Sequence, residues 1–111
     1  MGQAQQVAAL ANAMRESNLD PKAHLSVGGD YWGLFGLNGN RGFGSGHTDD
    51  QLMDPATNIR LILAEAKKSP EFVKAQTVEE AVAAFVDKIV RPLDRGGEIS
   101  ARILIARRLL Q

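Results

Sequence analysis

From Val7 to Met14 the chain has one polar residue, Asn12. Ala4, Val7, Ala8, Ala11 and Met14 recur at spacings of three and four, which predicts a helix over 3–17. The other side also carries Ala9 and Ala13. A helix that is apolar nearly all round is one that a fold buries. Glu16, near its end, is then expected close to a core among small side chains. A carboxyl group in such a place is suited to general acid work; the plain alternative is an exposed Glu at a helix end. Asn18 and Asp20-Pro21 stop the helix, because Asn tolerates a left-handed end and the residue before Pro avoids the helical region. Lys22 to Asp30 reads as loop.

The period is then lost. Gly28 to Gly46 holds eight of the eleven glycines, interleaved with Tyr31, Trp32, Phe35 and Phe43. Asn38-Gly39 is a hairpin signal, so a small irregular hairpin region is expected beside the first helix. Trp32 and Phe35 suit either stacking on sugar rings or lidding the core, and the pattern leaves both open. The helical period returns at Asp54-Pro55, a cap followed by Pro at the first helical position. Ile59, Ile62, Leu63 and Ala66 follow as its apolar face. Ser69-Pro70 closes that helix and opens a short one with Phe72 and Val73 inward. Thr77-Val78-Glu79-Glu80 fits a capping box, and the next helix buries Val78, Ala81, Val82, Phe85, Ile89 and Val90. Gly96-Gly97 is expected as a break before a last helix over 99–110. The fold class is mostly α: a helical domain with one small β-hairpin region.

Composition narrows the function classes. The 111 residues suit one domain, and an apolar fraction of 44% argues against disorder. Lys plus Arg and Asp plus Glu are both 13, so no global charge points to nucleic acid. Five Arg lie between Arg91 and Arg108, as a solvated helix face or a binding patch. No apolar run approaches the ~20 residues of a membrane span, and no signal peptide is evident. There is no cysteine, and His24 and His47 lack a ligand spacing, so no metal site is expected. Gly42-x-Gly44-x-Gly46 lacks the strand and helix of a dinucleotide site, and no phosphate loop occurs.

The run Val7-Ala8-Ala9-Leu10-Ala11-Asn12-Ala13-Met14-Arg15-Glu16-Ser17-Asn18-Leu19-Asp20-Pro21-Lys22-Ala23 resembles the lysozyme-like superfamily, in particular phage tail lysozymes and soluble lytic transglycosylases. Gly33-Leu34-Phe35-Gly36-Leu37-Asn38-Gly39-Asn40-Arg41 is similar to the family stretch Gly-x-x-Gln-Trp with its Gly-x-Arg turn. Asp54-Pro55 with Asn58-Ile59 resembles the transglycosylase signature, and Phe85, Arg91-Pro92, Arg102 and Ala106 are similar to the closing helices of tail lysozymes. The resemblance implies an α+β lysozyme-like fold whose hairpin region flanks a catalytic cleft. It implies cleavage of the peptidoglycan glycan strand between N-acetylmuramic acid and N-acetylglucosamine. Glu16 falls at the family's catalytic acid, Ser17 at a neighbour that sets it and touches sugar, and Gly33 and Leu34 at the cleft wall. Tyr31, Phe35, Asn38, Arg41 and Asn58 are the further substrate-binding candidates. Asp30 is a candidate second carboxylate, as in goose-type lysozymes, with Asp49 and Asp50 as alternatives. Three departures stand out: the family Gln falls at Gly36, the Trp at Leu37, and an acidic residue before Arg-Pro at Val90. Tyr31, Asn38 and Arg41 are the nearest polar groups to do the work of the missing Gln.

No cofactor is implied. The expected partners are glycan strands and other virion or tail proteins, with no nucleic acid and no membrane insertion. The expected setting is a domain excised from a longer phage or prophage protein, carried by a virion or delivered to the cell wall or periplasm. The competing reading is a non-catalytic peptidoglycan-binding or structural module in a degenerate lysozyme fold.

Overall fold

The structure, a computed structural model, describes residues 2–111. It is mostly helical with one small two-stranded antiparallel sheet. Its contacts fall into two compact units, Met1–Arg15 with Glu65–Gln111, and Glu16–Ala64. The boundaries lie inside two helices, α1 (Gln3–Ser17) and α3 (Pro55–Ala66), so Glu16 is the first residue of the second unit.

The first unit contains most of α1 with α4 (Pro70–Val73), α5 (Val78–Phe85), a π turn (Val86–Val90) and α6 (Arg95–Leu109). Phe72, Val82, Phe85 and Val86 are fully buried, and the Phe72 and Phe85 rings meet edge to face at 5.5 Å. Val73 is 52% exposed, contrary to the pattern, because a four-residue helix turns only one large side chain inward. Gln5 explains how so short a helix ends in the interior. Its Nε2 donates to the carbonyls of Phe72, Val73 and Ala75 at 2.9–3.1 Å, satisfying acceptors a helix end leaves open. Thr77 caps α5 through Glu80 N, while the Glu80 carboxylate accepts from the Thr77 hydroxyl. The reciprocal capping box is instead at Thr48 and Gln51 in the second unit.

Gly96-Gly97 is not a break. Both lie in the first turn of α6, where Asp94 is the cap and accepts from Gly97 N at 3.0 Å. A Cβ at Gly97 would stand 2.2 Å from Asp94 Oδ2, so the glycine makes room for the capping carboxylate. Further along α6, Arg102 is buried and donates to Asn12 Oδ1 at 2.6 Å and to Glu98 Oε1 at 3.2 Å. Glu98 also receives Arg15 at 2.9 Å. The single polar residue of the Val7–Met14 run is thus one end of a buried polar network. Arg95 pairs with Asp87 and Arg107 with Glu79, so much of the Arg91–Arg108 charge is matched inside its own unit.

The second unit holds the end of α1, then β1 (His24–Ser26) and β2 (Asp30–Trp32), a 3₁₀ turn (Gly42–Gly44), α2 (Asp49–Leu52) and most of α3. The strands pair His24 with Trp32, Leu25 with Tyr31 and Ser26 with Asp30. Residues 22–30, read as loop, therefore carry a strand and the hairpin turn. Gly28 (φ +70°) and Gly29 (φ +146°) make the turn, whereas Asn38-Gly39 closes only a single bridge from Asn38 to Arg41. A three-residue strand is too short for alternation to mark it.

Candidate active site

The site is built around a loop of four residues. Trp32 and Leu37 exchange both backbone hydrogen bonds at 2.9 Å and close off Gly33-Leu34-Phe35-Gly36. Gly33 (φ +81°) and Gly36 (φ +60°) sit at its two ends in the left-handed region. Gly33 has a second reason to lack a side chain: a Cβ there would lie 2.3 Å from Leu52 O and 2.4 Å from Asn58 Nδ2.

Asn58 is what fills that space. It is fully buried on the first turns of α3. Its Nδ2 donates to Trp32 O at 3.0 Å and Leu52 O at 2.9 Å, and its Oδ1 accepts from Phe35 N at 2.9 Å. Asn58 is one of the substrate-binding candidates in the sequence; in the structure its amide is engaged in holding the loop. Asp54 starts the helix that presents it, accepting from Thr57 N at 3.0 Å and Thr57 Oγ1 at 2.7 Å. Those two bonds, the hydroxyl first, hold the Asp54 carboxyl below its ordinary value. The Asp54-Pro55-x-x-Asn58 spacing thus has a physical meaning: a cap, a first-turn Pro, and an amide one turn later reaching the loop.

Glu16 approaches the same loop from the last turn of α1 and is half-buried. Its Oε2 lies 3.7 Å from where a Cβ on Gly36 would stand, and the Tyr31 Cβ lies 3.9 Å from that point. Ser17 ties helix to loop, its hydroxyl donating to Leu34 O at 2.9 Å. Beyond Ser17 the chain reverses through Asn18 (φ +52°) and Leu19 (φ +61°), closed by Asp20 N to Ser17 O at 3.0 Å. A left-handed leucine is uncommon, and two such residues in a row are a strained way to end a helix.

Leu34 and Phe35 are buried, which decides Phe35 as core. Asn38 is buried as well, its Oδ1 accepting from Asn40 N at 2.7 Å. Its amide nitrogen, Arg41 Nη2 and the Tyr31 ring edge all converge on Gly29, at 3.0, 3.1 and 3.6 Å from a Cβ built there. Glu16, Gly36, Tyr31, Asn38 and Arg41 therefore form one continuous cluster in the second unit.

Asp30 stands apart from it. Side chains alternate along a strand, so His24, Ser26, Asp30 and Trp32 share one face of the hairpin, and Leu25 and Tyr31 the other. His24 Nε2 meets Asp30 Oδ1 at 2.7 Å, and the His24 ring stacks on Trp32 with centroids 3.8 Å apart. Asp30 was expected as a second carboxylate beside Glu16; it is paired to His24 on the face opposite Tyr31, with its side chain 61% exposed. The sequence shows no partner for His24, because its pairing with Asp30 needs the hairpin turn at Gly28-Gly29. The same stack covers one face of Trp32, and the indole Nε1 is buried with no acceptor among the described residues. Asp49 and Asp50 occupy the exposed first turn of α2. Among the described residues no three His, Cys, Asp or Glu gather as a metal site would require. The chain matches no protein-family model, no curated protein and no solved structure, so the lysozyme-like resemblance rests on the residues quoted above.

Proposed function

We propose that this domain cleaves the glycan strand of peptidoglycan between N-acetylmuramic acid and N-acetylglucosamine, with Glu16 as general acid. The observation that carries the reading is the placement of the Glu16 carboxylate against Gly36 and Tyr31, on a loop pinned by Ser17 and Asn58. Glu16 gives its proton to the glycosidic oxygen as the bond breaks, and positive charge develops at the muramyl C1. Hydrolysis with a second carboxylate would need a partner across the sugar, and Asp30 lies on the other hairpin face. That favours the single-carboxylate route of a lytic transglycosylase. There the muramyl 6-hydroxyl attacks C1 and its proton passes to the Glu16 carboxylate, restoring the acid and releasing a 1,6-anhydro end. Gly36 does not argue for a dead site, because its φ of +60° gives the glycine a backbone reason to replace the family Gln. A virion-borne setting and tail-protein partners accompany this reading through the resemblance alone.

Mass spectrometry of digested peptidoglycan tests it. The wild type is expected to release 1,6-anhydromuramyl products, and Glu16→Gln to lose roughly 10²–10⁴-fold in rate with its fold intact. Wild-type-like cleavage by folded Glu16→Gln would remove Glu16 from the mechanism. Products with free reducing ends would return Asp49 or Asp50 as the group that orients water.

A further inference from the structure

Arg41 is fixed in place but its charge is unmatched. Its Nη2 donates to Gly28 O at 2.7 Å and to the Tyr31 hydroxyl, and the guanidinium carbon stands 5.6 Å from the Tyr31 ring centre. Its Nε and Nη1 protons have no acceptor, and no carboxylate pairs with it, among the described residues. Arg15, Arg95, Arg102 and Arg107 each meet a carboxylate, and of the arginines that do not, Arg41 is the one held by a hydroxyl and a carbonyl among the described residues. Tyr31 links this cation to Glu16. Its ring edge and Arg41 Nη2 both border Gly29, while its Cβ borders Gly36, beside the Glu16 carboxylate. One tyrosine side chain separates the guanidinium from the candidate acid.

We infer that the Tyr31–Arg41 pair reads a carboxylate on the glycan strand, beside the bond that Glu16 protonates, and selects carboxylate-bearing strands over neutral chitin-type ones. This rests on the reading of Glu16 given above. Holding Arg41 by a hydroxyl and a carbonyl reduces the freedom it loses on binding. A neutral sugar offers the guanidinium a single uncharged acceptor, whereas a carboxylate offers an opposite charge and two oxygens that a planar guanidinium can meet as a pair. Two sources present that group: the lactyl arm of a muramic acid freed of its peptide, and the stem peptide itself.

Binding calorimetry in the Glu16→Gln background separates this inference from the cleavage reaction. The probes are chitotetraose, a peptide-free tetrasaccharide of alternating N-acetylglucosamine and N-acetylmuramic acid, and its peptide-bearing form. At least one muramyl ligand is expected to bind roughly tenfold or more tightly than chitotetraose, the scale of one hydrogen bond to a charged group. Arg41→Ala erases that advantage, Arg41→Lys recovers part of it, and Tyr31→Phe weakens it. The muramyl ligand that holds the advantage identifies the source. Equal binding of all three probes, no binding of either muramyl ligand, or an equal loss on all three in Arg41→Ala overturns the inference. Because no turnover is read, failure of wild-type cleavage is a separate outcome.

Discussion

At the scale of single residues, the candidate site depends on side chains that never face solvent. Asn58 satisfies two carbonyls and one amide in the interior. Removing it leaves those groups unpaired, at about 1–3 kcal/mol for each buried group so exposed. Asn58→Ala is therefore expected to lower Tm by roughly 10 °C or more in a thermal melt, taking ~4 °C per kcal/mol for a chain of this size. The two loop glycines separate backbone from space. Gly36 has only ordinary contacts around a built Cβ, so Gly36→Ala meets the left-handed φ alone, about 1–2 kcal/mol. Gly33→Ala meets Leu52 O as well, and should prevent the loop from closing. Circular dichroism melts of the two variants check that order. Gly36→Gln carries the same backbone cost and is likewise expected to destabilise. That Glu16 and Ser17 lie at a helix end was readable from the chain, because the stop signals Asn18 and Asp20-Pro21 follow directly. The partners of Asn12 were not, because Arg102 lies 90 residues away and no period links them.

At the scale of elements, caps were legible and short strands were not. Asp54-Pro55 and Thr77 announce helix starts in the residues themselves, and both helices begin there. The Gly96-Gly97 pair misleads because two glycines normally interrupt a helix, and here an Asp cap sits over the second. Asn38-Gly39 is the stronger hairpin signal, but the strands flank Gly28-Gly29, whose positive φ values turn the chain between Ser26 and Asp30. The turn after Glu16 adds a prediction. Leu19 at φ +61° is strained, while Asn tolerates that region. Leu19→Asn should raise Tm by about 2–4 °C, equivalent to somewhat under 1 kcal/mol. A fall in Tm would mean that the half-exposed Leu19 side chain contributes packing that outweighs its backbone strain.

At the scale of the whole chain, a net charge of zero conceals a set of matched pairs. Arg15, and after it Arg102, hold Glu98 below its ordinary value, against a partial burial that works the other way. Arg95 does the same for Asp87, and for Glu79 the helix amide comes first and Arg107 second. All three values are lower in the fold than in the unfolded chain. Their stabilisation is therefore fully present above the ordinary carboxylate range and is lost as pH falls through the lowered values. Melts between pH 7 and pH 3 should show Tm dropping in the acid range. Glu98→Gln should flatten that slope, and an unchanged slope would show that Glu98 is not a source of it. The mostly helical class was legible in the sequence as a whole, because long apolar periods carry it. The loop that presents Gly36 to Glu16 was not, because it is made of backbone bonds and one buried amide.

Asn38-Gly39 is a dipeptide prone to covalent ageing, since the glycine nitrogen can attack the Asn side chain and leave isoaspartate. In the fold that attack is obstructed. The Asn38 carboxamide is buried and held by Asn40 N, and Gly39 is pressed against His47 O, only 2.4 Å from a built Cβ. Isoaspartate at residue 38 should then accumulate only as fast as this loop opens, and the lesion becomes a slow clock for an opening too rare to see otherwise.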